Sequence, residues 1–144
     1  MATSTAAERR AEERRAYDAF LSECASHNLL DQISNKWVTL VISALGEGPK
    51  RYSDLARAIP GVSQKMLTQT LRIIERDGLV TRTVTAAVPV RVDYALTDLG
   101  DSLRALLGKV KCWAEEHMDF VYLAREAYDA REEQTAVAAL NRKS

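Results

Sequence analysis

A run of cationic and hydrogen-bonding side chains follows the Pro60–Gly61 pair, in a stretch whose apolar residues have helical spacing. Such side chains match the base edges of the major groove: glutamine pairs with adenine, lysine or arginine with guanine, and serine or threonine with either. Between Gly61 and Glu75 the sequence has no acidic residue. A helix face that only meets solvent usually carries acidic residues among the basic ones. The pattern favours base readout, with a plain solvated face as the alternative. The candidate readers are Ser63, Gln64, Lys65, Thr68, Gln69 and Arg72.

Positive charge is concentrated around this run. The 144-residue chain has 20 Lys or Arg and 20 Asp or Glu, so its formal net charge is zero and a polybasic nucleic-acid binder is excluded. Residues 50–82 nevertheless hold seven basic and three acidic residues, whereas residues 97–144 hold seven basic and nine acidic ones. A local excess of this kind attracts phosphate. Arg82 and Arg91 are expected to reach phosphate or the minor groove, and the other candidate DNA contacts are Arg51 and Ser53.

The two cysteines, Cys24 and Cys112, are too few for a disulfide framework. A sensing thiol needs a lowered pKa and solvent access, and a protonated His27 would help to lower the pKa of Cys24. A buried, inert cysteine is the more common state of a lone thiol, and Cys112 is expected to pack beside Trp113. Cys24 and His27 would supply only two of the three or four ligands that zinc needs, so no metal site is predicted.

Four aromatic residues are candidates for lining an effector pocket near a dimer interface, although packing in the hydrophobic core and the dimer is the favoured explanation for them. The sequence has no phosphate-binding glycine loop, no Gly-x-Ser-x-Gly elbow and no evident nucleophile–base pairing. We therefore predict neither an enzyme nor a bound cofactor. The candidate pocket residues are Phe20, Trp37, Trp113 and Tyr122.

Helical spacing predicts three helices in the first part of the chain. The third is apolar nearly all round, which is typical of a core helix. Ser53 is expected to cap a fourth, short helix that ends near Ala58 and has Leu55, Ala56 and Ile59 on its inner face. The first three cover residues 6–23, 29–34 and 36–45.

A fifth helix carries the candidate readers, with Ser63 as its cap and Gly78 as its stop. After Gly78 the apolar period changes from helical to alternating, with many β-branched residues. This change predicts a β-hairpin of residues 79–85 and 90–96.

The last predicted helix is capped by Thr97 and continues to about Leu123. Its length of ~40 Å exceeds what the core of one small domain needs. We therefore expect this helix and the helix of residues 6–23 to pack against their counterparts in a second copy of the chain. The residues after Leu123 either extend the helix or fray.

The order of elements defines an α+β, mostly α fold: a winged helix-turn-helix with added N- and C-terminal dimerisation helices. The predicted regions are 1–23 for the first dimerisation helix, 24–96 for the DNA-binding region and 97–144 for the long helix and tail. No apolar stretch approaches the ~20 residues that span a bilayer, and residues 1–23 do not resemble a signal peptide. A cytoplasmic location without membrane contact is expected.

The middle of the chain carries a specific set of residues: Lys36–Trp37, Gly48, Arg51–Leu55, Ile59–Arg72, Glu75, Asp77–Val80, Arg82, Val88–Val92, Tyr94, Leu96–Thr97, Gly100, Leu103 and Trp113. In these residues the chain resembles the HxlR-type bacterial transcription regulators. The resemblance implies a homodimeric winged-helix DNA binder that recognises palindromic sites and responds to oxidants, electrophiles or other small molecules. Many members carry a sensing cysteine where this chain has Cys24, so the resemblance makes Cys24 a candidate thiol sensor, with a buried, inert cysteine as the alternative. The match is not complete, because Cys-Pro-Val is common there and this chain has Cys24–Ala25–Ser26.

We therefore expect a sequence-specific transcriptional regulator that binds double-stranded DNA as a homodimer, on a pseudo-palindromic operator. A small-molecule effector or an oxidant is the expected signal. The alternative is a winged-helix module that contacts another protein without reading DNA. Charge reversal along residues 63–72 separates these classes, because only a DNA reader would lose salt-dependent affinity for a duplex.

Overall fold

The computed structural model describes residues 4–144, which form two compact units divided after Asp101. The first unit contains three helices followed by a helix-turn-helix and a small sheet. The elements are α1 Ala6–Glu23, α2 Ala25–Ile33, α3 Lys36–Leu45, β1 Lys50–Arg51, α4 Tyr52–Ala58, α5 Gln64–Arg76, β2 Val80–Thr85, β3 Arg91–Leu96 and α6 Asp98–Lys143. The predicted α+β winged helix-turn-helix is confirmed.

The core of the first unit is made by α3, α4 and α5. Helix α3 buries four side chains at helical spacing, as its nearly continuous apolar character predicts. Helix α5 presents a second apolar stripe to it, and Leu55 of α4 is fully buried beside them. The buried side chains of α3 and α5 are Val38, Val41, Ile42, Leu45, Leu67, Thr70, Leu71 and Ile74.

The sheet has three antiparallel strands in the order β1-β3-β2. The predicted hairpin forms β2 and β3, with Val80 opposite Leu96 and Thr85 opposite Arg91. Strand β1 was not predicted, because two residues are too few to show an alternating pattern. It pairs with β3 and so fixes the start of α4 against the wing.

Two predictions about α4 are wrong. The helix begins at Tyr52, so Ser53 lies inside its first turn and does not cap it. Arg51 is held extended by its place in β1, and its backbone N–H donates to Asp54 Oδ2 at 3.3 Å. Ala56 is exposed, whereas Leu55 within the helix and Ile59 at its end are buried, as predicted.

The start of α6 is joined to the end of α5 by a compact set of hydrogen bonds. Gly78 has φ +74°, which confirms the predicted left-handed stop. The Thr97 hydroxyl donates to the Gly78 carbonyl at 2.6 Å and accepts from the Gly100 N–H at 3.0 Å, so Thr97 is a cap as predicted. The Thr97 N–H donates to the Leu79 carbonyl at 3.0 Å. These contacts fix where α6 leaves the helix-turn-helix.

Helices α2 and α6 are both longer than the sequence predicts. Helix α2 begins at Ala25, four residues before the predicted start. Helix α6 has 46 residues and continues well beyond Leu123, so the tail is an extension of the same helix. No helix within residues 4–144 is both long and apolar enough to cross a membrane.

Candidate nucleic-acid interface

Helix α5 presents its polar side to solvent because its apolar side is fixed in the core. Gly61 takes φ +81° in the turn before the helix, and the Ser63 hydroxyl then accepts from the Met66 N–H at 3.1 Å. This is the predicted N-cap. With the apolar stripe buried, the opposite side chains point away from the core: Gln64, Lys65, Gln69 and Arg72 are exposed, and Thr68 is half-buried.

A cleft of about 540 Å³ lies between α5 and the hairpin. It brings together four of the residues predicted to contact DNA, three from the helix and Arg82 from β2. Two arginines therefore share one concave, polar surface with amide and hydroxyl groups, which suits a phosphate-bearing ligand. The lining residues are Tyr52, Gln64, Thr68, Arg72, Glu75, Arg82, Val92 and Tyr94.

The other two candidate arginines lie on the opposite face of the sheet. Arg82 is directly across from Tyr94, so both side chains project toward the cleft. Side chains alternate along a strand, so Asp93 and Arg91 project from the other face. Arg51 is directly across from Asp93 and shares that face. The structure thus separates Arg51 and Arg91 from the cleft.

Arg91 is engaged by an acidic neighbour. Its Nε lies 2.9 Å from one carboxylate oxygen of Asp93 and 3.2 Å from the other. The hydrogen bond and the charge of Asp93 raise the pKa of the Arg91 guanidinium. To bind phosphate, Arg91 has to exchange this ion pair for the new contact.

Asp54 organises the start of α4 next to β1. Its pKa is lowered, first by the hydrogen bond from the Arg51 backbone and then by Arg57, whose Nη2 lies 2.6 Å from Oδ1. The carboxylate therefore stays ionised in the first turn, where the helix dipole favours negative charge. Ser53, beside it, is exposed.

Cys24 lies at the junction between α1 and α2 and is half-buried. One turn further along α2, the His27 ring nitrogen Nε2 is 3.6 Å from Asp31 Oδ2. Near the end of the same helix, the Gln32 amide donates to the Asp77 carboxylate at the C-cap of α5. Helix α2 therefore begins next to Cys24 and, near its other end, contacts the end of α5.

Cys112 does not pack as expected. It is exposed on α6. Within residues 4–144, no group of three or more His, Cys, Asp or Glu side chains could hold a metal ion.

The four candidate pocket aromatics are divided between the two units. In the first unit Phe20 is exposed, and Trp37 is half-buried with Lys36 Nζ 4.6 Å from its ring centroid. In the second unit Trp113 and Tyr122 are both exposed, and the Trp113 ring stacks on His117 with centroids 4.8 Å apart. An effector pocket formed by these residues stays a prediction.

Four residues of the cleft are not among the predicted contacts: Tyr52, Glu75, Val92 and Tyr94. The alternation of β3 could have placed Tyr94 on the same face as Val92, once the register with Arg82 was known. Tyr52 had no such signal, because its position depends on the unpredicted strand β1. Glu75 lies one turn after Arg72 on α5, and it brings a negative charge into the cleft.

The fold and this surface define the class of protein: a winged helix-turn-helix whose second helix and wing form a cationic, hydrogen-bonding cleft. The family comparison agrees with the class. The chain belongs to the HxlR-like helix-turn-helix family, whose model matches residues 32–122. The resemblance seen in the sequence is confirmed, and the protein is a DNA-binding transcriptional regulator.

Individual relatives support this assignment. The HTH-type transcriptional regulator YtfH of Escherichia coli (strain K12) is 37% identical over 107 residues, which cover 74% of this chain and 85% of that protein. Among solved structures, the transcriptional regulator ytfH of Salmonella typhimurium has a TM-score of 0.66 and 36% identity, covering 74% of this chain and 96% of that one. The redox regulator HypR in its oxidised form has a TM-score of 0.60 and 36% identity, with 65% and 96% covered.

Proposed function

We propose that this regulator acts as a homodimer on a pseudo-palindromic operator, with α5 of each copy reading bases in the major groove. The observation that carries the proposal is the cleft between α5 and the wing. There Gln64, Thr68 and Arg72 stand beside Arg82 on one concave surface. The helix residues read base edges, and Arg82 binds the adjacent phosphate or reaches into the minor groove. A protein that acts on the chromosome would work in the cytoplasm.

A stripe on α6 supports dimerisation. Its residues follow one another at alternating three- and four-residue spacing, which is the spacing of a helix–helix seam. In the single chain Val110 is 54% exposed, Trp113 55% and Phe120 69%. Apolar side chains exposed in this regular way favour a partner helix. The α6 stripe consists of Leu103, Leu106, Val110, Trp113, His117 and Phe120.

A two-fold axis between the copies would relate the two α5 helices. Helix-turn-helix dimers place their recognition helices about 34 Å apart, in successive major grooves on one side of the duplex. The operator should therefore contain two inverted half-sites. The exposed aromatic side chains of α1, Tyr17 and Phe20, are a second surface available to such a partner.

Alanine substitutions of Lys65 and Arg72 test the reading role. If either side chain contacts a base, its removal should cost ~1–3 kcal/mol of binding and relax specificity at one position. If the contact is to phosphate, affinity should fall almost equally for all sequences, and the salt slope should fall by about one. Fluorescence anisotropy on duplexes selected by the wild-type protein measures both quantities.

The control is Arg125→Ala, which removes the same charge from an exposed position on α6. It should leave DNA binding unchanged. If the Lys65→Ala and Arg72→Ala double variant binds DNA as tightly as the wild type, α5 is not the reader. A role as a protein-binding winged helix would then be favoured.

We further propose that an oxidant or electrophile is the signal to which the regulator responds, and that Cys24 is the sensing thiol. HypR, a relative of known structure, is a redox regulator. In this chain Cys24 begins α2, and Gln32 of the same helix contacts Asp77 at the end of α5. With peroxide, the thiolate sulfur takes one oxygen, the O–O bond breaks, and hydroxide leaves, which gives a sulfenic acid. The added group would displace α2 and, through Gln32, the recognition helix.

Titration of the operator complex with hydrogen peroxide tests this role. Oxidation should change DNA affinity in the wild type and in Cys112→Ser, and it should have no effect in Cys24→Ser. The Cys112 variant is needed because that thiol is exposed. An identical response in Cys24→Ser would exclude Cys24 as the sensing thiol. The absence of a response to peroxide in the wild type would leave a small-molecule effector as the signal.

A further inference from the structure

The Tyr52 hydroxyl lies over the first turn of the recognition helix. Its oxygen is 3.1 Å from the backbone carbonyl of Gln64 and 3.3 Å from the Thr68 hydroxyl. Gln64 and Thr68 are one helical turn apart, and both line the cleft between α5 and the wing. A single side chain from α4 therefore contacts two positions that are proposed to face DNA.

The directions of these two hydrogen bonds follow from the number of hydrogens that the two hydroxyl groups carry. A carbonyl oxygen can only accept, so the one hydrogen of Tyr52 goes to Gln64. The contact between Tyr52 and Thr68 then needs the Thr68 hydrogen, which is donated to the tyrosine oxygen. Both contacts can form together only in this arrangement. Thr68 is left with acceptor lone pairs and no hydrogen to offer.

A second threonine on the same helix shows the contrasting case. The Thr70 hydroxyl is buried and donates back to the Met66 carbonyl, one turn earlier, at 2.7 Å. Threonines in helices commonly use their proton in this way. Thr68 is half-buried at the cleft, and it directs its hydroxyl to Tyr52 instead.

We infer that Tyr52 is a positioning residue for specificity, because it makes Thr68 a hydrogen-bond acceptor that selects an amino group on a base. In the major groove the exposed amino groups are N6 of adenine and N4 of cytosine, whereas guanine and thymine present acceptors. A threonine with a free hydroxyl would accept or donate and would distinguish these bases poorly. The inference rests on the proposed role of α5 as the reader.

Selection from a pool of duplexes with a random 20-base-pair centre tests the inference with the full-length protein. Thr68→Val removes the hydroxyl at nearly constant shape, so the one base pair whose preference it abolishes is the pair read by Thr68. In the wild type that position should favour adenine or cytosine by roughly fivefold over guanine or thymine, the value of about one hydrogen bond. In Tyr52→Phe the preference should fall below about twofold at that position alone.

Two further variants separate specificity from folding. Tyr128→Phe makes the same chemical change at an exposed residue of α6 that does not line the cleft, and it should keep the wild-type preference. Combined with Thr68→Val, Tyr52→Phe should produce no additional change in base preference, because the acceptor is already gone. Thermal unfolding of each variant measures its loss of stability. A loss of stability alone would not change the base preference at one position only.

The possible failures are distinguishable. If Tyr52→Phe keeps the preference for adenine or cytosine at the Thr68 position, the inference is wrong while the proposed function stands. If Tyr52→Phe weakens the preference at every position equally, Tyr52 only supports the fold, and the inference is again wrong. If the wild type enriches no sequence, the proposed function fails and the inference fails with it.

Discussion

At the scale of single residues, the arginines near the wing differ in their surroundings. Arg82 lines the cleft with the α5 side chains, whereas Arg91 is held by Asp93 on the other face of the sheet. An ion pair at the surface contributes little to stability, but it lowers the positive charge that a duplex meets. Asp93 therefore limits the contribution of this face to DNA binding.

Replacing Asp93 by asparagine should strengthen DNA binding. The change removes a negative charge and frees Arg91 for phosphate, so affinity should rise by roughly threefold to tenfold and the salt slope should increase by about one. Anisotropy titrations at several salt concentrations measure both effects. Asp18→Asn on α1 is the charge-matched control. Unchanged or weaker binding by Asp93→Asn would show that Arg91 does not face DNA.

Residues that act locally could be predicted from the sequence. Ser63 and Thr97 cap the helices they were expected to cap, because a cap is decided by a hydroxyl and a backbone N–H three residues later. Ser53 has the same chemistry but lies two residues after the N-cap, which is Arg51, since β1 holds Arg51 extended. Tyr52 acts through residues 12 and 16 positions away, which local pattern does not reveal.

At the scale of elements, the junction between α5 and α6 depends on Gly100. A Cβ at this position would collide with the Leu79 carbonyl, which is backbone and also accepts from Thr97. Contact this close leaves no room for a side chain, so the start of α6 has to shift. The absence of a side chain at Gly100 is what lets the first turn of α6 approach the backbone of Leu79.

Gly100→Ala should therefore destabilise the protein by ~2 kcal/mol or more, as overpacking does. Gly108→Ala is the matched control, because a Cβ there meets no other atom within 4 Å. It should stabilise α6 by ~0.5–1 kcal/mol through helix propensity. Urea unfolding at one protein concentration measures both. Equal effects of the two substitutions would contradict the role given to Gly100.

The α6 stripe is proposed to pack against the same helix of a second copy of the chain. Val110→Glu puts a charge in its centre and should convert a micromolar dimer to a monomer, because a charge is not readily desolvated between two helices. Cys112→Glu adds the same charge at an exposed position off the stripe and should leave the dimer intact. Sedimentation velocity distinguishes the outcomes. A Val110→Glu protein that remains a dimer would show that α6 does not form the interface.

At the scale of the whole molecule, the order of elements could be predicted, and the fold is confirmed by the structure and by the relatives. The hydrophobic period changes clearly from α5 to the hairpin and back to α6, so these elements were evident. The two-residue strand β1 and the face on which each wing arginine lies depend on strand pairing between distant residues. Pairing of this kind leaves no local periodicity, so the sequence alone does not show that Arg82 and Arg91 lie on opposite faces of the sheet.

Footprinting on the selected operator tests the central claim, that two copies of α5 read successive major grooves. The wild-type protein should protect two inverted half-sites whose centres are ~10 base pairs apart, on one side of the duplex. Protection should be lost in the Lys65→Ala and Arg72→Ala double variant. A single protected half-site, or protection that is the same in the double variant, would contradict the account.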